Sequence, residues 1–161
     1  MDCTIKTLPE TKLVGQRLTM SVAQNTTFKL WSSFMPRRKE ITNPVTTDLF
    51  SMQVYPAGFN FKQFDINATF EKLAAVEVSD FEVVPDGMET FTLPGGLYAV
   101  FIHKGPASEG ERTFKYIFAE WLPASGYVIA NRPHFELLGD KYKNNHPDSE
   151  EEVWIPIEPV Q

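Results

Sequence analysis

Residues 95–105, GGLYAVFIHKG, and residues 113–127, TFKYIFAEWLPASGY, constrain the fold more than any other stretch. The first is a run of β-branched and aromatic residues that opens on a glycine turn and is broken by Lys104-Gly105-Pro106, which predicts a strand at 97–103. In the second, Phe114, Ile117, Phe118, Trp121 and Leu122 fall at i, i+3, i+4, i+7 and i+8, the stripe of a helix lying on a sheet. The helix is expected over 109–123, with Ser108 as N-cap, Glu111 completing a capping box and Ser125-Gly126 as the stop. Short strands are expected at 133–138 and 153–157, separated by an acidic, Asn-rich loop over 140–152.

The first part of the chain follows the same plan. Strands are expected at 4–8 and 12–20, the latter with period-two order. A helix is expected over 26–39, capped by Asn25, with Phe28, Trp31 and Met35 at i, i+3 and i+7 and Pro36 disturbing its end. Strands at 49–55 and 69–79 follow, the first half of the latter with helix as its alternative, then the turn Pro85-Asp86-Gly87 and an extended segment at 88–93. Thr27-Phe28-Lys29 is echoed by Thr113-Phe114-Lys115, and Phe34-Met35-Pro36 by Trp121-Leu122-Pro123.

The expected class is α+β. One domain over 1–161 is built from two tandem strand–helix–strand–strand units, 4–84 and 88–158, related by a pseudo-twofold axis. Each half is expected to form an antiparallel three-stranded sheet with one helix. A half of about 80 residues buries its layers poorly alone. Joining the sheets sets the helices side by side and leaves a groove between them, a usual place for a ligand.

Fifteen basic against 21 acidic residues give a net charge of −6, and the only basic run is Arg37-Arg38-Lys39 at a helix end. A protein that grips phosphate backbones needs a basic stripe, so direct nucleic-acid binding is not expected. The single cysteine, Cys3, allows no intrachain disulfide and no cysteine zinc site. No run of apolar residues is long enough to span a bilayer and the first residues lack a signal-peptide pattern, so the expectation is a cytoplasmic protein with no membrane contact. His103, His134 and His146 match no metal spacing, and Pro94-Gly95-Gly96 is followed by a strand instead of the helix a phosphate cradle needs. No metal, nucleotide or flavin cofactor is expected.

The run GGLYAVFIHKGP, the helix ending AEWLPASGY, the strand PHFELL and the terminal VWIPI together resemble the gyrase-inhibitory-protein-like small-molecule-binding domain. The same module serves as the effector-binding domain of multidrug-responsive transcription activators. The resemblance covers 94–157 well and 4–78 more loosely. It implies a groove that takes bulky, often cationic aromatic compounds, with the acid of a P-x-x-E strand meeting the positive charge. In this sequence that acid is Glu136, in Pro133-His134-Phe135-Glu136. Two departures stand out. The regulators carry a helix-turn-helix domain, whereas no DNA-binding domain is expected in this chain, and the tyrosine often found two residues past the glutamate is Leu138 here.

On a strand, Glu136 shares a face with His134 and Leu138, away from Phe135 and Leu137. A carboxylate among aromatics avoids a large desolvation cost by hydrogen bonding, protonation or pairing with a cation. The competing reading is a solvated edge glutamate. Trp31, Phe34, Phe50, Tyr55 and Trp154 are the candidate ligand-facing aromatics, each with core packing as its alternative. Trp121 is assigned to the core, and the acidic run 148–152 to a solvated loop, with a rim over the groove as its alternative. Three functions follow: a binding module for organic cations that senses or sequesters them, with a possible regulatory protein partner; a cofactor-free hydrolase of electrophilic xenobiotics using Glu136; or an inhibitor that contacts a DNA-handling enzyme. A groove closed over Glu136 favours the first two, and a filled groove with an exposed apolar patch favours the third.

Overall fold

Runs of consecutive buried residues at 49–53, 73–76, 98–101 and 153–157 mark the central strands, which are covered on both faces. The computed structural model describes residues 2–61, 63 and 65–161. In chain order the elements are β1 (Cys3–Leu8), β2 (Thr11–Met20), α1 (Thr27–Phe34), β3 (Leu49–Val54), β4 (Phe70–Glu77), β5 (Glu89–Leu93), β6 (Gly96–Lys104), α2 (Gly110–Tyr116), α3 (Leu122–Ser125), β7 (Tyr127–Ile129), β8 (His134–Leu138) and β9 (Glu150–Pro159). Among the described residues the strands form one antiparallel sheet in the order β1-β6-β9-β8-β3-β4-β2-β5, with β7 adding to the end of β9.

That order reads the same from both ends when β1, β2, β3 and β4 are matched to β5, β6, β8 and β9. The α+β tandem repeat is therefore present, with a pseudo-twofold between the central strands β3 and β8. A sequence echo supports the matching: Thr7-Leu8-Pro9 recurs as Thr92-Leu93-Pro94 at the ends of β1 and β5. The expected self-contained three-stranded halves are corrected. β1 pairs with β6, in the other half, and β5 pairs with β2. Pro9 and Pro94 bend their short links without hairpin pairing, so each first strand runs on into the partner half. The two bends meet at Gly95, where a Cβ would lie 2.8 Å from the Leu8 carbonyl oxygen.

Both helices lie on one face of the sheet. Leu30 and Phe34 of α1 pack on Val14, Ala74 and Val76, and Ile117 packs on Ala99, Phe101, Val153 and Ile155. On the opposite face Leu8, Leu13, Leu93, Tyr98, Phe135 and Trp154 belong to one apolar cluster. Leu8 and Leu93 come from the strands at the two ends of the sheet order, so the sheet curls upon itself to bury a face no helix covers.

The helices depart from ideal form at their prolines. The expected helix over 26–39 stops being α-helical at Phe34 and continues as a 3₁₀ segment, Met35–Glu40, with Pro36 in its first turn. This breaks the expected Phe28–Trp31–Met35 stripe: Leu30 and Phe34 are the buried residues, and Phe28 is 85% exposed. Asn25 does accept the Thr27 N–H through its side chain, at 3.0 Å. The second helix starts later than expected, because a 3₁₀ turn at Ala107–Glu109 absorbs Ser108 and the capping box does not form. Between α2 and α3 the chain widens into a π turn at Ile117–Trp121, with the Leu122 N–H reaching the Ile117 carbonyl. Pro123 lies just beyond, and a wide turn gives its ring room. Gly126, at φ 79°, ends α3 in the left-handed conformation.

Candidate functional site

The groove floor is the helix-side face of β3 and β8. Register pairs Gln53 with His134, Ser51 with Glu136 and Leu49 with Leu138. Glu136 and His134 thus share a face, as the alternation predicts. β9 enters beside β8 with Val153 opposite Glu136, so Glu151, two residues back, is a diagonal same-face neighbour of Glu136. On the other side β4 sets Ala74 opposite Ser51 and Lys72 opposite Gln53.

Glu136 keeps some contact with solvent, yet protein atoms enclose its carboxylate on all other sides. It lies between the two helices, one packed over β2 and β4 and the other over β6 and β9. Burial pushes its pKa above the ordinary carboxylate value; the Lys72 ammonium and a hydrogen bond from the Gln53 amide oppose the rise. Glu151 is raised to about 7, first by burial and then by the charge of Glu136, with Lys72 again opposing. Burial lowers His134 to about 3, so its imidazole is neutral near neutral pH. The Tyr55 phenol is raised first by burial and then by the charge of Glu136.

Aromatic rings close the cleft. The Tyr55 ring lies 4.9 Å from the His134 ring, and Phe59, Phe61 and Phe70 surround Tyr55 at 4.7, 4.9 and 5.3 Å. Phe61, from the segment between β3 and β4, stacks on His134 at 5.0 Å and on Phe118 of the π turn at 5.6 Å. Elements of both halves therefore meet above the floor. Two open concavities, of 320 and 340 Å³, lie elsewhere: one under the 3₁₀ segment, lined by Arg38, Ile41 and Val76, and one against the segment that carries Phe59. Neither is lined by Glu136.

The candidate aromatics divide by face. Tyr55 is in the cleft. Phe34 is fully buried under α1, and Trp31 packs beside it at 5.9 Å. Phe50 and Trp154 are on the far face of the sheet, each 5.1 Å from Phe135. The sheet itself stands between them and Glu136. Trp121 meets Phe101 at 5.1 Å, in the core as expected. His103 is fully buried: its Nε2 donates to the Pro106 carbonyl at 3.0 Å, and its Nδ1 is 2.6 Å from the Thr113 hydroxyl. The acidic run is corrected in part, since Glu150, Glu151 and Glu152 belong to β9 and pair with Lys104, His103 and Ile102. Sequence reasoning missed Glu151, Lys72, Phe61 and Phe118 as site residues. For Glu151 the signal was present: Glu151, Val153, Ile155 and Ile157 alternate into one strand face.

Among the described residues, no group of three or more His, Cys, Asp or Glu is arranged to hold a metal, and no helix is long and apolar enough to cross a membrane.

The sequence model of the GyrI-like small-molecule-binding domain matches residues 1–158. The chain belongs to that family. Among GyrI-like relatives, the transcriptional regulator BrlR of Pseudomonas aeruginosa is 28% identical over 158 residues, which is 98% of this chain and 56% of the regulator. A DNA gyrase inhibitor of Erwinia billingiae is 36% identical over 85 residues, 49% of this chain and 52% of the inhibitor. The chain spans about half the length of the curated relatives it matches. The solved structure of SAV2435 bound to tetraphenylphosphonium shares the GyrI-like fold at a TM-score of 0.72 and 15% identity, covering 98% of this chain and 94% of that one.

Proposed function

We propose that the chain binds bulky, aromatic organic cations in the cleft above Glu136, as a sensing or sequestering module. The observation that carries this is the enclosed carboxylate of Glu136 on the same strand face as the neutral His134, whose ring packs against Tyr55 and Phe61, with Phe118 stacked on Phe61. An unpaired carboxylate there bears a desolvation cost that an organic cation relieves and a neutral guest does not. Ring faces add attraction for the same cation. The tetraphenylphosphonium held by SAV2435 supports this ligand class. The name of the gyrase inhibitor among its relatives supports a protein partner, and a cytoplasmic setting belongs to the same reading.

The protein's own rings occupy the cleft, so binding requires Phe61 to give way. Calorimetric titration with tetraphenylphosphonium tests the reading. Saturable binding with a stoichiometry near one supports it, and no heat across the micromolar range counts against it.

A second reading is favoured by the raised pKa of Glu136. A shielded carboxylate of that kind is a usable general base for cofactor-free hydrolysis of an electrophilic compound. Turnover of ester or strained-ring substrates that survives chelator and disappears in Glu136→Gln supports this reading; chelator-sensitive turnover, or full turnover in the variant, rejects it.

A further inference from the structure

The groove floor carries a cation of its own. Lys72 is half-buried on the helix-side face of β4, opposite Gln53, which lies two residues along β3 from the Ser51 that faces Glu136. Among the described residues Lys72 has no carboxylate within ion-pair distance, although the next residue, Glu71, is held by Arg17 on the other face at 3.2 Å. β4 is two strands from β8, about 10 Å, a span that the lysine stem and a glutamate arm cover together.

Internal symmetry gives this placement a meaning. Lys72 sits one strand outward and two residues along from Ser51, since β4 pairs Lys72 with Gln53. Glu151 sits one strand outward and two residues along from Glu136, beside β8. Ser51 and Glu136 face each other. The pseudo-twofold therefore exchanges Lys72 with Glu151 and Ser51 with Glu136. One half contributes a hydroxyl and an ammonium, and the other contributes two carboxylates. The other titratable groups facing this floor are His103, His134 and Tyr55. Both carboxylates feel the Lys72 charge.

We infer that Lys72 is a tethered counter-ion that sets the charge of the ligand: it offsets one of the two carboxylates Glu136 and Glu151, leaves the cleft one negative charge, and so makes it select organic monocations over dications. This rests on the reading of the cleft as a cation site. A second positive charge on a ligand would find its carboxylate already offset and would lie near the ammonium. Removing the ammonium frees a second carboxylate and reverses the order.

A biaryl series of one shape tests this: para-phenylpyridine, which is neutral; its N-methyl cation; and methyl viologen, a dication. Affinities are measured by calorimetry at about pH 8, above the value of about 7 at which Glu151 releases its proton. The wild type is expected to bind the monocation tightest. Lys72→Met is expected to improve methyl viologen relative to the monocation by roughly tenfold or more. Lys72→Arg keeps the wild-type order, and Lys72→Met combined with Glu151→Gln restores it. A zwitterionic analogue, the phenylpyridinium bearing a carboxylate, is expected to bind less tightly than the monocation; tighter binding would mean that Lys72 recognises ligand and would overturn the counter-ion role. An unmoved dication-to-monocation ratio in Lys72→Met overturns it too. If Glu136→Gln still lowers monocation affinity in that case, the cation reading stands and only the role of Lys72 falls. If the wild type shows no preference for either cation over the neutral member, both fall.

Discussion

Ser51 and Glu136 face each other across β3 and β8, on the pseudo-twofold axis that relates the halves. At equivalent positions one half presents a hydroxyl and the other a carboxylate. A symmetric scaffold thereby holds an asymmetric site, with its charge set by two positions in each half.

Trp154 is expected to matter for stability and not for ligand affinity. It is buried against Phe135 on the face away from Glu136. Trp154→Leu should cost about 2–4 kcal/mol of unfolding free energy, the range for large-to-small core substitutions, and leave cation affinity within twofold. Urea melts and calorimetry check the two halves of this statement, and a selective loss of affinity would put Trp154 in the site.

The pH dependence of stability should carry a signature of Glu151. Unfolded, the side chain releases its proton near the ordinary value of 4.5; folded, it holds the proton to about 7. Between those values the native state binds more protons than the unfolded state, so this residue's contribution makes stability fall as pH rises from about 4.5 to 7 and then level off. Glu136, also raised, contributes with the same sign. The check is the difference between wild type and Glu151→Gln in urea midpoints across that window. The wild type is expected to lose more stability with rising pH than the variant; parallel curves would remove Glu151 from the titration.

Much of this was legible in the sequence, but unevenly. Strand positions and the apolar stripe of the second helix follow from local periodicity, and so does the shared face of His134 and Glu136, because alternation along one strand is local. Which face Trp154 shares with Glu136 depends on the register between β8 and β9, and nothing local specifies register. The exchange of β1 and β5 was obscured for a related reason: alternation says that a strand has a buried face and does not name its neighbour. Glu151 was hidden in an acidic run whose composition suggests a loop, although Lys104 and His103 lie opposite that run on β6. Phe61 belongs to a segment without periodicity, where only tertiary contact reveals a role.

Opening the cleft should change binding kinetics. The Phe61 ring sits against both His134 and Phe118, in the space an aromatic ligand would enter. Phe61→Ala is expected to raise the association rate for tetraphenylphosphonium by about tenfold, the effect of removing about 1.4 kcal/mol of stacking that must break before entry. Stopped-flow tryptophan fluorescence measures it, and an unchanged rate would mean that the ligand enters by another path.

The central claim is that Glu136 is the charge partner of the ligand. The most direct measurement is calorimetric titration of the wild type and Glu136→Gln with a cation and a neutral compound of the same shape. The substitution keeps volume and removes the charge, and a shielded charge pair is worth roughly 1–3 kcal/mol. The account predicts that the cation loses about that much in Glu136→Gln while the neutral compound changes little. Equal losses for both ligands, or none for either, would contradict it.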